Sequence, residues 1–136
     1  MHIEKGHIKL SKKTEVWAAG YHISNAIYDM VSQFKALDRH SYPSSLNGLE
    51  EWDEILDKIL FAFHDHEEHE PDLATYGVEF VFGPEECLAD GSTRRKMERL
   101  DPQNRYDEYQ QDVTDYWAKV AEGEQLFALY VRDLWY

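Results

Sequence analysis

Cysteine, basic residues and long apolar runs are scarce in this chain, and each shortage excludes a class of protein. Cys87 is the single cysteine among 136 residues, so no internal disulfide can form, which is consistent with a reducing compartment. Lys and Arg number 14 against 27 Asp and Glu, and the formal net charge of −13 disfavours binding to nucleic acid or anionic membranes. No apolar run approaches the roughly 18 residues that cross a bilayer, and the N-terminus lacks the apolar core of a signal peptide. We therefore expect a soluble, intracellular protein.

The chain nevertheless contains enough apolar material to fold. Aromatic residues make up 14 % and hydrophobic residues 43 % of the sequence, which is too much for a disordered chain. A length of 136 residues suits one domain over residues 1–136. The charge is uneven, because residues 46–72 hold ten Asp and Glu against one Lys. That segment favours basic partners or cations.

Three stretches have the spacing of amphipathic helices. The first covers about residues 13–38, with a stripe at steps of four and three formed by Val16, Gly20, Ile23, Ile27, Met30, Phe34 and Leu37. Gly20 on this stripe predicts a closely packed neighbour, because glycine costs about 1 kcal/mol of helix propensity against alanine. The last helix covers about residues 102–135 and follows Asp101 as its N-cap. Its nearly continuous apolar run at 126–131 predicts an end that is buried on several sides.

The second helix, about residues 48–66, carries the densest negative charge. Its apolar stripe runs from Trp52 to Phe63. The opposite side holds five carboxylates, at Glu50, Glu51, Asp53, Glu54 and Asp57. Asn47 and Glu50 have the spacing of a capping box, in which the Glu side chain reaches back to the N-cap backbone. We expect the five carboxylates to form an interaction face.

Residues 75–82 switch to the alternating period of a half-buried strand. The sequence leaves three alternatives for this strand. It pairs with the N-terminal segment, it pairs with the edge of a neighbouring subunit, or it has no strand partner and lies extended over the helices. A short basic helix or connector follows, with Arg94, Arg95, Lys96 and Arg99. The predicted fold class is mainly α, a three-helix bundle with long helices and a small β or extended insertion.

Seven consecutive potential metal ligands occupy residues 64–70, and five of them are candidates: His64, Asp65, His66, Glu68 and His69. On a helix, His66 would share a face with His69, and His64 with Glu68. The segment lacks the paired histidines of zinc proteases and the Glu-x-x-His of di-iron bundles, so the signal is compositional. A solvated polar helix end is the simpler interpretation. The alternative is a divalent metal completed by His22, His40 or another subunit, and no other cofactor is expected.

Signatures of catalysis are missing, so we expect a protein that is not an enzyme. No carboxylate is placed by the sequence in an apolar pocket that would raise its pKa. Ser44, Ser45 and Cys87 lie in no nucleophile motif. The terminal aromatic residues are typical of a core rather than of a base-stacking platform: Trp117, Tyr130, Trp135 and Tyr136.

Two blocks of sequence carry a family resemblance. The first is Tyr42-Pro43 with Leu46, the run Glu50-Glu51-Trp52-Asp53-Glu54-Ile55-Leu56-Asp57-Lys58-Ile59, and Phe61 to Phe63; the second is Glu122-Gly123, Leu126-Phe127 and Leu134-Trp135. Together they resemble a family of small uncharacterised proteins encoded by tailed bacteriophages and their prophages. The resemblance implies a phage accessory protein acting in the host cytoplasm. The family carries no assigned activity, so no functional residue is transferred.

The function that we expect is non-catalytic binding by an acidic phage accessory protein. Its partner would be a host or phage protein, in a host-directed or anti-defence role that includes mimicry of nucleic acid. Neither nucleic acid nor a membrane is an expected partner. Two alternatives are a divalent-metal-binding helical protein that uses the 64–70 cluster and a structural, homo-oligomeric phage component.

Overall fold

The computed structural model describes residues 2–4, 7–9 and 18–135, with side chains placed over 18–135. In chain order the elements are β1 His2–Glu4, β2 His7–Lys9, α1 Ala19–Ala36, α2 Leu49–Phe63, α3 His66–His69, a 3-10 turn Leu73–Tyr76, β3 Glu79–Phe82, β4 Glu86–Cys87, β5 Thr93–Arg94, β6 Met97–Leu100, α4 Tyr106–Tyr130 and a 3-10 turn Val131–Asp133. The protein is mainly helical, with a small antiparallel strand insertion between α3 and α4. The predicted start of the first helix, at residue 13, lies outside the described residues.

Contacts divide the chain into two compact units. The first unit contains Met1–His66 and Ala118–Tyr136, and the second contains Glu67–Trp117. Helix α4 begins in the second unit and ends in the first. In the part of the chain that the structure describes, no helix is both long and apolar enough to cross a membrane.

The core of the first unit lies where α1 and the C-terminal half of α4 meet α2. Its buried residues are Val31, Phe34, Leu46, Trp52, Leu56 and Ile59. The Trp52 ring lies between two aromatic neighbours, with ring centroids 6.2 Å from Phe34 and 5.5 Å from Tyr130. Because the apolar stripe of α2 is buried as predicted, α2 is the central helix of this core.

The strand insertion is a bent hairpin in the second unit. Strand β3 pairs antiparallel with β6, and β4 pairs with β5. Gly91, with φ +86°, forms the turn at the tip, where only glycine adopts this backbone geometry without strain. The partner of β3 is therefore Met97–Leu100, which was not among the predicted alternatives. Of the two interpretations of the basic segment, a short helix or a connector, the helix was wrong. Four exposed residues with no apolar alternation, Met-Glu-Arg-Leu, carry no strand signal of their own.

The last residue of α2 and the first residue of α4 differ from the prediction, and the backbone geometry gives the reason for each. Helix α2 ends at Phe63 rather than 66, because His64 adopts extended geometry with ψ 176°. Asp101 does cap the last helix, but its carboxylate accepts the backbone N–H groups of Arg105 at 2.9 Å and Tyr106 at 3.0 Å. The helix consequently begins four residues later than the Asp-Pro signal implies.

Several apolar residues that the helical pattern assigned to the core are exposed. On α1 the largest exposures are those of Ile23 (59 %), Met30 (65 %) and the flanking Leu37 (42 %). The run at 126–131 is also partly exposed, with Leu129 at 68 %. The prediction of an α4 end buried on several sides was wrong in this respect, because Leu126, Phe127 and Tyr130 already cover the core from one side.

Candidate functional site

Three of the predicted interaction carboxylates surround a shallow depression at the start of α2. Glu50, Glu51 and Glu54 line it with Asn47 and Gly48, and its volume is about 280 Å³. We call this the acidic depression. The Glu51 carboxylate accepts the Asn47 backbone N–H at 2.8 Å, so Glu51 makes the reach-back contact that the sequence assigned to Glu50. The positive end of the helix dipole stabilises Glu50 and Glu51, which lie in the first turn of α2.

The other two predicted carboxylates are engaged by cations of α1 and the loop that follows it. Asp53 pairs with Arg39, and Asp57 pairs with Lys35. Each ion pair joins α1 or its C-terminal extension to α2, and both carboxylates stay partly exposed, at 43 % for Asp53 and 59 % for Asp57. Glu50 and Glu54, by contrast, have no ion pair or hydrogen bond with any residue in the described ranges.

Arg39 is the one buried charged residue among those that the structure describes, with its side chain 6 % exposed. Its Nη2 also donates to the Lys35 carbonyl at 3.3 Å, and its guanidinium carbon lies 5.2 Å from the centre of the Phe34 ring. Nε and Nη1 are buried and have no hydrogen-bond partner in the described part of the chain. The charge therefore depends on Asp53 and on the aromatic face for its stabilisation.

The candidate metal ligands fall on either side of the boundary between the two units. His64 and His66 belong to the first unit, with ring centroids 4.7 Å apart. The His64 Nδ1 bonds the carbonyl of Phe61, and the His66 Nε2 bonds that of Ala62 at 2.8 Å. A ring nitrogen bonded to a carbonyl carries a proton, so one nitrogen of each ring is committed to the end of α2. Asp65, Glu68 and His69 are exposed, the last two in the second unit.

Over residues 18–135, no group of three or more His, Cys, Asp and Glu side chains is arranged to hold a metal ion. The first two histidines instead hydrogen-bond the last carbonyl groups of α2, which is a capping role. Metal binding by the 64–70 cluster stays a prediction from the sequence.

A second cleft lies between the loop after α1 and the chain's C-terminal turn. It is lined by Ser41, Tyr42, Pro43, Ser44, Asp133 and Trp135, and its volume is about 260 Å³. We call this the aromatic cleft. Tyr42 is 45 % and Trp135 65 % exposed, so two rings remain accessible to solvent around one carboxylate. The prediction that Trp135 belongs to the core was wrong, and Tyr136 lies outside the described residues.

A polar network in the second unit perturbs the pKa of several groups. The Tyr76 hydroxyl donates to the Asp112 carboxylate at 2.5 Å, and this hydrogen bond, with burial and the carboxylate charge, raises the Tyr76 pKa. Glu108 accepts two hydrogen bonds from Arg105, at 2.9 and 3.0 Å, and this pairing lowers the Glu108 pKa. The Tyr76 hydroxyl therefore keeps its proton at neutral pH and donates it in the hydrogen bond to Asp112.

Comparison with known proteins adds no assignment to these sites, since no family model, curated protein or solved structure matches the chain. The sites therefore rest on their own chemistry. Sequence patterns missed the aromatic cleft, because Tyr42 and Trp135 are far apart in the chain and neither belongs to a motif. No local pattern in the sequence pairs these two residues.

Proposed function

We propose that this protein is a non-catalytic, acidic phage accessory protein that binds a basic surface of a host or phage protein through its acidic depression. The observation that carries the proposal is the pair Glu50 and Glu54, which line the depression and form no ion pair or hydrogen bond with a described residue. Asp53 and Asp57, by contrast, pair with cations of α1 and its extension. The charge of Glu54 also acts on Lys58, one turn further along α2. A carboxylate without an internal partner keeps its full attraction for a cation on another protein.

The surrounding framework supports a surface held in one position. Trp52 and Leu56, on the same helix, are 1 % and 0 % exposed, so the helix that carries the carboxylates is anchored in the core. We infer that α1, α2 and the end of α4 form the three-helix bundle that the sequence predicts. The phage origin and the host cytoplasm rest on the sequence resemblance, and an anti-defence role through mimicry of nucleic acid accords with the net charge of −13.

Affinity capture from host lysate tests this proposal when the wild type is compared with two charge-matched variants. Glu50→Gln with Glu54→Gln removes two charges from the acidic depression. Asp29→Asn with Glu124→Gln removes two exposed charges elsewhere and serves as the control. We expect the first variant to lose the captured basic partner at least about tenfold, and the control to retain it.

The salt dependence of the captured complex separates mimicry from ordinary contact. If the surface imitates a nucleic acid, affinity should fall steeply as salt rises, because the partner's site is built to bind many charges. A partner that binds the Glu50 and Glu54 variant as well as it binds the wild type would refute the role of the depression.

A second candidate function, a structural homo-oligomer, is favoured by the exposed apolar residues of α1. Ile23 and Met30 are spaced seven residues apart on α1, which is the repeat of a helix-helix seam, and the exposed Leu37 follows directly after the helix. A second copy of the same helix would cover them. Light scattering should then show a dimer or larger species that becomes a monomer on Met30→Lys, and a monomeric wild type would remove this candidate.

A further inference from the structure

The aromatic cleft combines the groups that recognise a planar cation. Tyr42 and Trp135 provide exposed rings, and Asp133 provides a carboxylate on the same lining. Cations are attracted to the face of tryptophan most strongly among the aromatic side chains, and a guanidinium group also stacks flat on a ring. A carboxylate beside the rings can accept two parallel N–H bonds from the same guanidinium.

The cleft is sized for a side chain rather than for a larger molecule. Its volume of about 260 Å³ is smaller than the range of roughly 300 to 1,000 Å³ that holds a drug-sized ligand. Ser41 and Ser44 line the same cleft, and a serine hydroxyl is able to accept N–H groups that the carboxylate leaves unbonded.

Both walls of the cleft are anchored by residues in contact with the core. On one side, Leu46 is 8 % exposed and its backbone N–H bonds the carbonyl of Pro43 at 2.9 Å. On the other side, Leu134 packs against the core, and the Trp135 backbone N–H bonds the Asp133 carbonyl at 2.9 Å. A site whose walls are held in this way loses little conformational entropy when it binds.

From these features we propose that the aromatic cleft binds the guanidinium group of an arginine side chain in a basic peptide segment of the partner. The inference rests on the proposed function, because it takes the partner to be a basic protein. Lysine fits less well, since an ammonium is a compact point charge that neither stacks flat nor pairs bidentately. An anion is disfavoured by Asp133 and by the net charge of the chain.

The test uses acetyl-Gly-Arg-Gly-amide as the probe and the same peptide with citrulline as its neutral control. Backbone amide shifts of residues 41–44 and 133–135 are followed by NMR during titration of the full chain. We expect the arginine peptide to bind with a dissociation constant of about 1 mM, as one stacked and paired side chain allows. The citrulline peptide, which keeps the shape and loses the charge, should bind at least about tenfold more weakly.

Variants at exposed or half-buried positions identify the residues responsible. Asp133→Asn and Trp135→Ala should each weaken the arginine peptide by at least about fivefold. Asp29→Asn and Trp117→Ala, at an exposed carboxylate and an exposed tryptophan elsewhere, should change the affinity by less than about twofold. Melting temperatures of all four variants verify that the fold is kept.

Four results would overturn the proposal. Equal binding of the citrulline peptide would show that charge is not recognised, and full binding by Asp133→Asn would place the peptide elsewhere. Tetramethylammonium that binds more tightly than the arginine peptide would assign the cleft to a free quaternary ammonium ion. Loss of peptide binding on Glu50→Gln with Glu54→Gln, but not on Asp133→Asn, would leave the acidic depression standing and remove the cleft.

The opposite pair of results would support the aromatic cleft and refute the acidic depression. If Asp133→Asn abolishes peptide binding while the double Glu variant captures the partner normally, the cleft stands and the acidic depression fails.

Discussion

A β-carbon added to Gly123 would lie 2.2 Å from the backbone carbonyl oxygen of Lys58. The same added β-carbon would lie 2.6 Å from the β-carbon of Ala62. Helices α4 and α2 therefore approach each other at a point where only glycine fits. Next to this crossing, the Lys58 ammonium pairs with Glu122 at 2.8 Å, and the hydrogen bond and charge of Glu122 raise the Lys58 pKa. The glycine and the ion pair thus mark one contact between the two helices.

Gly123→Ala should destabilise the protein. The collision involves backbone atoms, which cannot move aside as a flexible side chain does, and overpacking of this kind costs about 1–3 kcal/mol. The gain of about 1 kcal/mol in helix propensity offsets only part of that cost. Urea unfolding at neutral pH measures the difference.

Gly20→Ala is the matched control. Gly20 lies on α1, and no atom of the described residues comes within 4 Å of an added β-carbon, so the substitution should stabilise the protein by up to about 1 kcal/mol. Opposite signs for the two glycines are the expected outcome. A neutral or stabilising Gly123→Ala would mean that α2 and α4 are farther apart than the structure has them.

The buried Arg39 should make Asp53 more important for stability than the neighbouring Asp57. Asp53→Ala leaves a guanidinium that is 6 % exposed without its carboxylate, and we expect a loss of about 1–3 kcal/mol. The expected loss is below that of a fully buried pair because Asp53 itself is 43 % exposed. Thermal and urea unfolding give the value.

The control for this pair is Asp57→Ala, whose partner Lys35 is 33 % exposed. Exposed ion pairs contribute about 0–1 kcal/mol, so this change should be small. Adding Arg39→Met to Asp53→Ala should recover most of the lost stability, because it removes the unpaired charge. Equal effects of the two aspartates would contradict the burial of Arg39.

Tyr76 should contribute stability that depends on pH. Its pKa is raised in the folded protein because its hydroxyl donates to Asp112, so the protonated form is favoured by folding. The contribution is complete below the usual tyrosine pKa of about 10 and is lost as pH rises through the raised value. Tyr76→Phe should therefore reduce the free energy of unfolding at neutral pH and have no effect well above that range.

Unfolding of wild type and Tyr76→Phe at several pH values checks this dependence. Tyr21→Phe, at a tyrosine that is 67 % exposed, is the control and should show no difference at any pH. A Tyr76→Phe effect that persists unchanged at high pH would show that packing, and not the hydrogen bond, is responsible.

Two leucines on different helices test which apolar residues form the core. Leu56 is 0 % exposed, and Leu56→Ala should cost about 2–5 kcal/mol through lost burial and a cavity. Leu129 is 68 % exposed, and Leu129→Ala should cost less than about 0.5 kcal/mol. A large effect at Leu129 would indicate that a second copy or a partner covers this end of α4.

Local patterns were sufficient where a single helix face decides the outcome. The stripe of Trp52, Leu56 and Ile59 is buried as the period of 3.6 residues requires. Sequence patterns failed for glycine, because a glycine in a helix does not by itself show whether a neighbouring helix packs against it. Gly20 sits on the apolar stripe of α1 yet has open space around it, while Gly123 carries the close approach.

The candidate sites show the same limit. The sequence identified the carboxylates of α2 as one face, and three of them line the acidic depression. It could not separate Glu50 and Glu54 from Asp53 and Asp57, because their difference arises from cations of another segment. The aromatic cleft could not be predicted either, because its lining comes from residues 41–44 and from residues 133 and 135, which are distant in the chain.

By itself, the sequence determined the helical class, the central apolar stripe of α2 and the position of the negative charge. These follow from composition and from spacing within one element, where neighbours in space are neighbours in the chain. Only the tertiary structure decided that β3 pairs with Met97–Leu100, that Gly123 meets Lys58, and that Tyr42 shares a cleft with Trp135. Each of these joins residues distant in the chain, and their contact depends on how the elements pack rather than on any local preference.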